Sequence, residues 1–197
     1  MSSSPKRSTR RPDPRRIYQI HVALQEIHPT VWRRLWVPDT LTLAKLDRVI
    51  QAAVGWTNSH LHEFVIAGRR YGIPDDESLD DAPLLDDRKF TVGKVLGESV
   101  REFLYIYDFG DHWQHQVNVE DVPLPNPINT WPVCIAGQNA GPPEDVGGVG
   151  GYAEFLEAIK DPEHDEHDAM WNWCGGPFDP TGFDVNGANA AIRTLRL

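Results

Sequence analysis

The sequence is poor in cysteine and contains no long apolar run. Cys134 and Cys174 are the two cysteines among 197 residues, and they lie far apart in the chain. We therefore expect two reduced thiols and no disulfide framework. No stretch approaches the roughly 20 consecutive apolar residues that span a bilayer. The basic N-terminus also lacks the apolar segment of a secretory signal, so we expect a cytoplasmic protein without membrane contact.

Known enzyme signatures are missing as well. The sequence has no glycine-rich phosphate loop, no Gly-x-Ser-x-Gly elbow, no His-Glu-x-x-His helix and no closed set of cysteines. The string Asp108-Phe109-Gly110 resembles the kinase magnesium motif in letters only, because the remaining kinase elements are absent. The residues therefore identify no reaction, and we predict no cofactor and no metal.

Charge divides the chain into two unequal parts. The formal net charge is −10, but residues 1–16 carry +5, which leaves −15 on residues 17–197. An acidic body argues against a dedicated nucleic-acid surface, because attraction to phosphate supplies most non-specific affinity. The Ser-, Pro- and Arg-rich arm is predicted to be disordered. It is expected to be a solvated tail, and it is the one place where nucleic acid or a partner could bind through positive charge.

Hydrophobic periodicity predicts a hairpin followed by a helix. Residues 17–27 alternate apolar and polar side chains, and residues 31–37 do the same after His28-Pro29-Thr30. The helix is predicted over residues 43–54, where apolar residues recur at helical spacing between Thr42 as cap and Gly55 as left-handed stop. A third strand is predicted over residues 60–67.

The middle of the chain predicts an acidic loop and a second hairpin. Residues 74–89 are rich in Asp and short of periodic apolar positions, which is typical of an exposed loop. Strand patterns return over residues 103–107 and 112–122. Gly110 between them offers the positive φ that a tight hairpin needs.

The C-terminal third predicts a long loop and two short helices. Residues 123–151 are rich in proline and glycine, which excludes regular structure over most of that length. The helices are predicted near 152–159 and 185–195. The fold class is therefore α+β over residues 17–197 as one domain. It would have a mostly antiparallel sheet of two hairpins plus a further strand, helices on one face and a long Pro/Gly-rich loop.

A polar cluster is predicted around the second hairpin. If residues 111–119 form a strand, Asp111, Trp113 and His115 share the buried face, while His112 shares the other. A carboxylate or imidazole at the core margin needs a partner, and Arg33 on the inward face of its strand is a candidate. The candidate ligand or structural cluster comprises Arg33, Asp108, Asp111, His112, Trp113 and His115.

Two interpretations of this cluster remain open. It can be a satisfied polar network that holds the hairpins together, or a pocket for a ligand or for general acid–base chemistry. Elsewhere, His60 and His62 would project from one strand face as a metal pair would, but no third ligand is identifiable. His164 and His167 lie in a segment whose composition predicts a solvated acidic loop. Three tryptophans could form an aromatic groove for a peptide or could belong to the core: Trp131, Trp171 and Trp173.

Several separated segments together resemble the plasmid pRiA4b ORF-3-like family. They are, in order, residues 27–34, 42–56, 60–64, 107–115 and 141–148. The block Asp108-Phe109-Gly110-Asp111-His112-Trp113-Gln114-His115 is the most distinctive. The resemblance covers roughly residues 17–190. It implies a stand-alone bacterial or archaeal domain, often encoded on plasmids or insertion elements and sometimes labelled resolvase-like, with no established reaction. The sequence shows no serine-recombinase pattern to support that label.

The chain departs from the family pattern in one loop. Similar members often have cysteines at the positions of Ala140 and Val146 as well as at Cys134, and this chain keeps Cys134 alone. A structural zinc site needs about four closed ligands, so no metal is carried over. We expect a non-enzymatic binding or accessory module of a mobile element that recognises an unknown protein or small-molecule ligand. The alternative is a hydrolase-like or metal-assisted enzyme that uses Asp108, Asp111, His112 and His115.

Overall fold

A computed structural model describes residues 16–74, 83–120 and 131–197. The predicted disordered arm lies outside the described residues except for Arg16, and so does the centre of the predicted acidic loop. The remaining chain forms strands and helices that build around one hydrophobic core.

Eight strands form a single sheet in the described ranges. The elements are β1 Ile17–Leu24, β2 Trp32–Pro38, α1 Leu43–Val54, β3 His62–Ile66, β4 Arg69–Gly72, β5 Leu85–Asp86, a 3-10 turn Asp87–Lys89, α2 Val92–Leu96, β6 Glu102–Tyr107, β7 Trp113–Glu120, β8 Val133–Gln138, α3 Gly148–Lys160, α4 His167–Trp173 and α5 Val185–Thr194. The strand order is β5-β4-β3-β6-β7-β1-β2-β8. All neighbours are antiparallel except β4 and β5, which run parallel. The α+β fold class with a largely antiparallel sheet is confirmed.

The first hairpin has the predicted inward and outward faces. Strand β1 pairs with β2 in antiparallel register, with Val22 opposite Arg33 and Ile20 opposite Leu35. The alternation buries Leu35 and Val37, and Arg33 with them. Strand pleating therefore places one cationic side chain inside the core, as the pattern predicted.

Helix α1 has the predicted bounds. Gly55 ends it in the left-handed conformation, at φ 116°. Thr42 is the N-cap residue, but its side chain makes no capping hydrogen bond. The helix packs on α5 and also contacts β2 and β4. Its buried face includes two polar residues among the aliphatic ones, Asp47 and Gln51.

The second hairpin is confirmed, but Gly110 does not supply its positive φ. Strands β6 and β7 pair in antiparallel register, with Tyr105 opposite His115. The left-handed residues in the connection are Asp108 at φ 57° and His112 at φ 56°. Aspartate tolerates this region better than most residues because its short side chain bonds locally. Here the Asp108 carboxylate accepts a hydrogen bond from the backbone N–H of Gly110, at 2.9 Å.

Several elements were missed because local composition suggested loops. Strand β8 lies within the proline- and glycine-rich segment, where sheet pairing with β2 overrides the composition. Helix α4 begins at His167, inside the segment predicted to be a solvated loop. Strands β4 and β5 and helix α2 were not predicted either. In the acidic segment the expectation of exposure is wrong for Asp87, which is completely buried.

The core is continuous from the sheet to the helices. Aromatic side chains fill its centre, where Trp56 stacks on Tyr107 at a ring separation of 4.7 Å. Cys134 is buried, Cys174 is half-buried and both are free thiols. No helix in the described ranges is long and apolar enough to cross a membrane.

Replacing Gly137 by Ala is expected to cost about 1–3 kcal/mol of unfolding free energy, as core overpacking does. A Cβ at this position would lie 2.6 Å from the ring of Phe183 and 2.8 Å from Cδ of Arg33. That ring lies against the buried guanidinium of Arg33, with 4.0 Å between them, so neither side chain can move away freely. Urea unfolding measures the difference.

Gly150→Ala is the matched control. Gly150 lies in α3, and nothing lies within 4 Å of an added Cβ. Because alanine favours helix over glycine by up to about 1 kcal/mol, this variant should be neutral or more stable. Equal stability of the two variants would contradict the close packing of Phe183 on Arg33.

Candidate functional site

A polar groove opens between α1, the start of β3 and the 3-10 turn. Its volume is about 540 Å³, and its lining includes Asp47, His62 and Asp87. The left-handed Gly55 ends α1 and starts the loop that supplies another part of the wall, including His60. Secondary structure thus brings three separate segments to one surface opening.

The floor of the groove is a buried histidine between two buried carboxylates. Nε2 of His62 lies 2.8 Å from Oδ2 of Asp87, and Nδ1 lies 3.2 Å from Oδ1 of Asp47. The three side chains are exposed by 5% or less. We name Asp47, His62 and Asp87 the floor triad. These side chains are shielded from water. The one imidazole can offset at most one of the two negative charges that the acids can carry.

Asp47 is the best connected member of the floor triad. Its Oδ1 accepts hydrogen bonds from the Tyr105 hydroxyl at 2.7 Å and from the Gln51 amide at 2.8 Å. Burial raises the pKa of Asp47, and the neighbouring His62 opposes that shift. Burial also raises the pKa of Tyr105 well above its usual value, so its hydroxyl remains a donor.

Two acceptors near the floor have no donor within the described part of the chain. They are Oδ1 of Asp87 and Oε1 of Gln51, and both are shielded from solvent. A buried acceptor without a donor costs about 1–3 kcal/mol. The site is therefore short of hydrogen-bond donors.

A second cluster adjoins the groove through His60, which also belongs to the groove lining. Nε2 of His60 is 3.0 Å from Oδ1 of Asp145, 3.5 Å from Oδ2 of Asp108 and 4.0 Å from Oε2 of Glu144. We name these four residues the rim cluster. They come from the loop after α1, the turn after β6 and the loop before α3. One ligand atom each from His60, Asp108 and Asp145 can be chosen within 4.8 Å of one another, a spacing that can hold a metal ion.

Backbone and hydroxyl donors hold Glu144 in the rim cluster. Its Oε1 accepts from the backbone N–H of Thr57 at 2.8 Å and from the Tyr107 hydroxyl at 3.1 Å. Burial raises the pKa of Tyr107, and the adjacent carboxylate adds to the effect. The phenol therefore remains protonated and donates to Glu144.

The structure separates Arg33 from the cluster predicted for it. Its guanidinium donates to the carbonyl oxygens of Ala53 at 2.7 Å, Trp32 at 2.8 Å and Gln138 at 2.9 Å. Burial lowers the pKa of Arg33 to about 10. In the described chain it forms no ion pair with a carboxylate, so its role is to tie α1 and β8 to β2.

The predicted residues of the second hairpin also lie in different environments. Asp108 joins the rim cluster, whereas Oδ2 of Asp111 accepts from the backbone N–H of Gly147 at 3.1 Å. His112 is exposed, and Trp113 is buried in the core. His115 is buried with Nδ1 3.3 Å from the carbonyl oxygen of Tyr105, and its Nε2 has no described partner.

Within the described residues, Trp131, Trp171 and Trp173 do not line one common groove. Trp131 packs against the core, while Trp173 and Met170 line a smaller hollow of about 190 Å³ beside Phe155. Trp171 lies on α4 and contacts the ring of His167 at 5.3 Å.

Sequence reasoning missed most of the floor triad. Asp47 interrupts the apolar face of α1, which was the available signal, since a charged residue at a core position needs a partner. Asp87 has no such signal within its acidic segment. His60 and His62 were considered a pair on one strand face, but His60 precedes β3 and belongs to the rim, while His62 belongs to the floor.

Comparison with known proteins identifies the family. Residues 16–187 match the family described as plasmid pRiA4b ORF-3-like protein. The chain belongs to this family. The assignment confirms the resemblance seen in the five sequence segments.

Two relatives of the plasmid pRiA4b ORF-3-like family support the assignment. The uncharacterized protein y4hQ of Sinorhizobium fredii (strain NBRC 101917 / NGR234) is 38% identical over 180 residues, which are 91% of this chain and 92% of that protein. A crystal structure of a protein of unknown function from Methanosarcina mazei Go1 has a TM-score of 0.78 and 37% identity. The aligned region covers 87% of this chain and 96% of the Methanosarcina mazei chain. These relatives establish family and fold, and neither carries an assigned activity.

Proposed function

We propose that this member of the pRiA4b ORF-3-like family is a non-enzymatic binding module, and that its ligand is a small molecule with a protonated amine. The observation that supports the proposal is the floor triad, which places two buried carboxylates at the base of an open groove. Buried charge is costly unless it is paired. An ammonium group would supply both the missing charge and the missing donors.

The walls of the groove suit a small, partly apolar ligand. Leu61 and Ile73 line it with side chains that are 54% and 51% exposed. Ser59 adds a hydroxyl to the same lining. Arg48 and Arg88 add two exposed guanidinium groups, and Arg88 is paired with Asp86. A volume of about 540 Å³ falls in the range of small-molecule sites, which combine apolar walls with a few convergent polar groups.

The enzymatic alternative is not favoured by the arrangement of its residues. Asp108 contacts His60, Asp111 accepts from Gly147, and His115 is enclosed in the core. A catalytic base and its partner must reach one substrate atom together. Nothing in the family comparison assigns an activity either.

The biological setting of the module is part of the proposal. The family description names a plasmid, and we propose an accessory role for a mobile element, carried out in the cytoplasm. Because the body of the chain is acidic, a positively charged small molecule is a better match than nucleic acid.

Nuclear magnetic resonance titration with small amines tests the proposal. We expect ethanolamine, putrescine and free lysine at millimolar concentration to shift the amide signals of residues 58–62 and 86–88, which surround the groove. Ethylene glycol, which replaces the amine of ethanolamine by a hydroxyl, should shift them far less because it carries no charge. Asp87→Asn removes the buried charge, so the amine concentration needed for a half-maximal shift should rise at least about tenfold.

Asp165→Asn serves as the matched control, since it removes the same charge from an exposed position outside the groove. Its response to the amines should equal that of the unmodified protein. The proposal fails if no amine shifts these signals, or if Asp87→Asn responds as strongly as the control.

A further inference from the structure

We propose that His60, Asp108 and Asp145 of the rim cluster bind one divalent transition-metal ion, for which Zn²⁺ is the representative probe. This site is separate from the floor triad and does not depend on amine binding. A zinc site with open positions commonly takes about three protein ligands from imidazole and carboxylate groups. The rim cluster offers one imidazole and two carboxylates from three separated segments of chain.

Two of the three ligand separations match a shared metal. Two ligands that each lie about 2.0–2.1 Å from a tetrahedral zinc stand about 3.3 Å apart. Nε2 of His60 lies 3.0 Å from Oδ1 of Asp145 and 3.5 Å from Oδ2 of Asp108. The third pair, one oxygen each from Asp108 and Asp145, lies within 4.8 Å. The exposed side chain of Asp145 can rotate to bring the three atoms around one ion.

The ligand atoms are oriented toward one another and lack other partners. Nε2 of His60 is shielded from solvent and has no hydrogen-bond partner in the described chain. The Asp108 side chain is 9% exposed, and its Oδ1 is occupied by the N–H of Gly110. That bond leaves Oδ2 directed at His60, without a hydrogen-bond donor among the described residues. An ordinary polar network would not leave the shielded nitrogen of His60 unsatisfied.

Charge in the rim cluster also calls for a cation. Three carboxylates, those of Asp108, Glu144 and Asp145, lie within 4.0 Å of one imidazole nitrogen. Within the described ranges, every ion pair of these carboxylates is made with His60, and no lysine or arginine shares them. Even a protonated imidazole would leave a net negative charge, which a divalent ion offsets.

Glu144 completes the surroundings of the proposed ion. Thr57 and Tyr107 fix its Oε1, and its Oε2 lies 4.0 Å from Nε2 of His60. At that distance it can act as a fourth ligand or orient a metal-bound water. Mixed nitrogen and oxygen ligands favour zinc, manganese, iron or cobalt over magnesium and calcium, which prefer oxygen alone.

Isothermal titration with ZnCl₂ tests the site on tag-free protein that has first been stripped with a chelator. We expect one Zn²⁺ per chain. His60→Asn and Asp145→Asn should each weaken binding at least about tenfold, because losing even an outer-sphere partner costs about 10–100-fold. The Asp145 side chain is 69% exposed, so its replacement should leave the fold intact, which circular dichroism verifies.

His112→Asn is the matched control, because His112 is an exposed histidine in the turn next to the site. Asparagine also tolerates the left-handed backbone at that position. This variant should bind zinc as the unmodified protein does. The inference is overturned if no zinc binds in a one-to-one ratio, or if folded Asp145→Asn binds it as tightly as the control. Failure of amine binding would leave these results unchanged, so the two proposals are tested separately.

Discussion

Acidification from neutral pH to below pH 4 is expected to lower the free energy of unfolding by about 3 kcal/mol through His115 alone. His115 is 1% exposed and lies between aromatic rings. Trp56 meets it edge-on at 5.4 Å, and Tyr105 lies 5.2 Å away. Among the described residues, no carboxylate contacts His115 to stabilise a charged imidazole.

The direction follows from the pKa of His115, which burial lowers from 6.5 to about 4. Between these values the unfolded chain binds a proton that the folded protein does not, so stability falls as pH falls through this window. Asp47 acts in the opposite direction, since burial raises the pKa of that acid in the folded state. A comparison of variants is therefore needed to isolate His115.

Urea unfolding at a series of pH values separates the two effects. His115→Phe keeps an aromatic ring in the core and removes the titrating group. Over the same pH window, the free energy of unfolding of this variant should fall by about 3 kcal/mol less than that of the unmodified protein. An exposed-histidine variant, His112→Asn, should keep the original slope. If His115→Phe has that slope too, His115 is not held neutral by the core.

Asp47→Ala is expected to cost about 3–5 kcal/mol of unfolding free energy, the largest effect of a single substitution considered for this protein. The carboxylate is 1% exposed. It accepts hydrogen bonds from the Tyr105 hydroxyl and the Gln51 amide, and it lies 3.2 Å from Nδ1 of His62. Removal would leave these groups buried without their acceptor, and each unsatisfied group costs about 1–3 kcal/mol.

Glu157→Ala on α3 is the matched control for Asp47→Ala. Glu157 is an exposed helical carboxylate, so its loss should change stability by less than about 0.5 kcal/mol. Urea midpoints of the two variants give the comparison at neutral pH. A cost below about 1 kcal/mol for Asp47→Ala would mean that the floor triad does not stabilise the fold.

The local sequence pattern was sufficient to predict the helices and strands whose apolar periodicity is strong. Helix α1 follows its apolar repeat from Leu43 to Val54, and the two hairpins follow the alternation of their strands. Strand β8 and helix α4 were not predictable in this way. Their composition is typical of loops. Strand β8 depends on pairing with β2, which lies far away in the sequence, and α4 depends on packing against α3 across a turn.

The candidate site could be anticipated only in part. Asp108 was singled out from the sequence, and the structure places it in the rim cluster. Arg33 was assigned the right face of its strand and the wrong partners, because carbonyl oxygens from α1 and β8 reach it first. Alternation along a strand predicts which face a side chain occupies. It does not predict the distances between segments that decide which acid pairs with which imidazole.

The amino-acid sequence by itself determined the family, the first hairpin, helix α1 and the acidic character of the body, since each follows from neighbouring residues or from composition. Tertiary structure alone decided that Asp47, His62 and Asp87 share one buried floor and that His60 meets Asp108 and Asp145. The physical reason is that these side chains come from segments joined by strand pairing and helix packing. Burial, which decides whether a carboxylate is an ordinary surface charge or part of a site, exists only once those segments have come together.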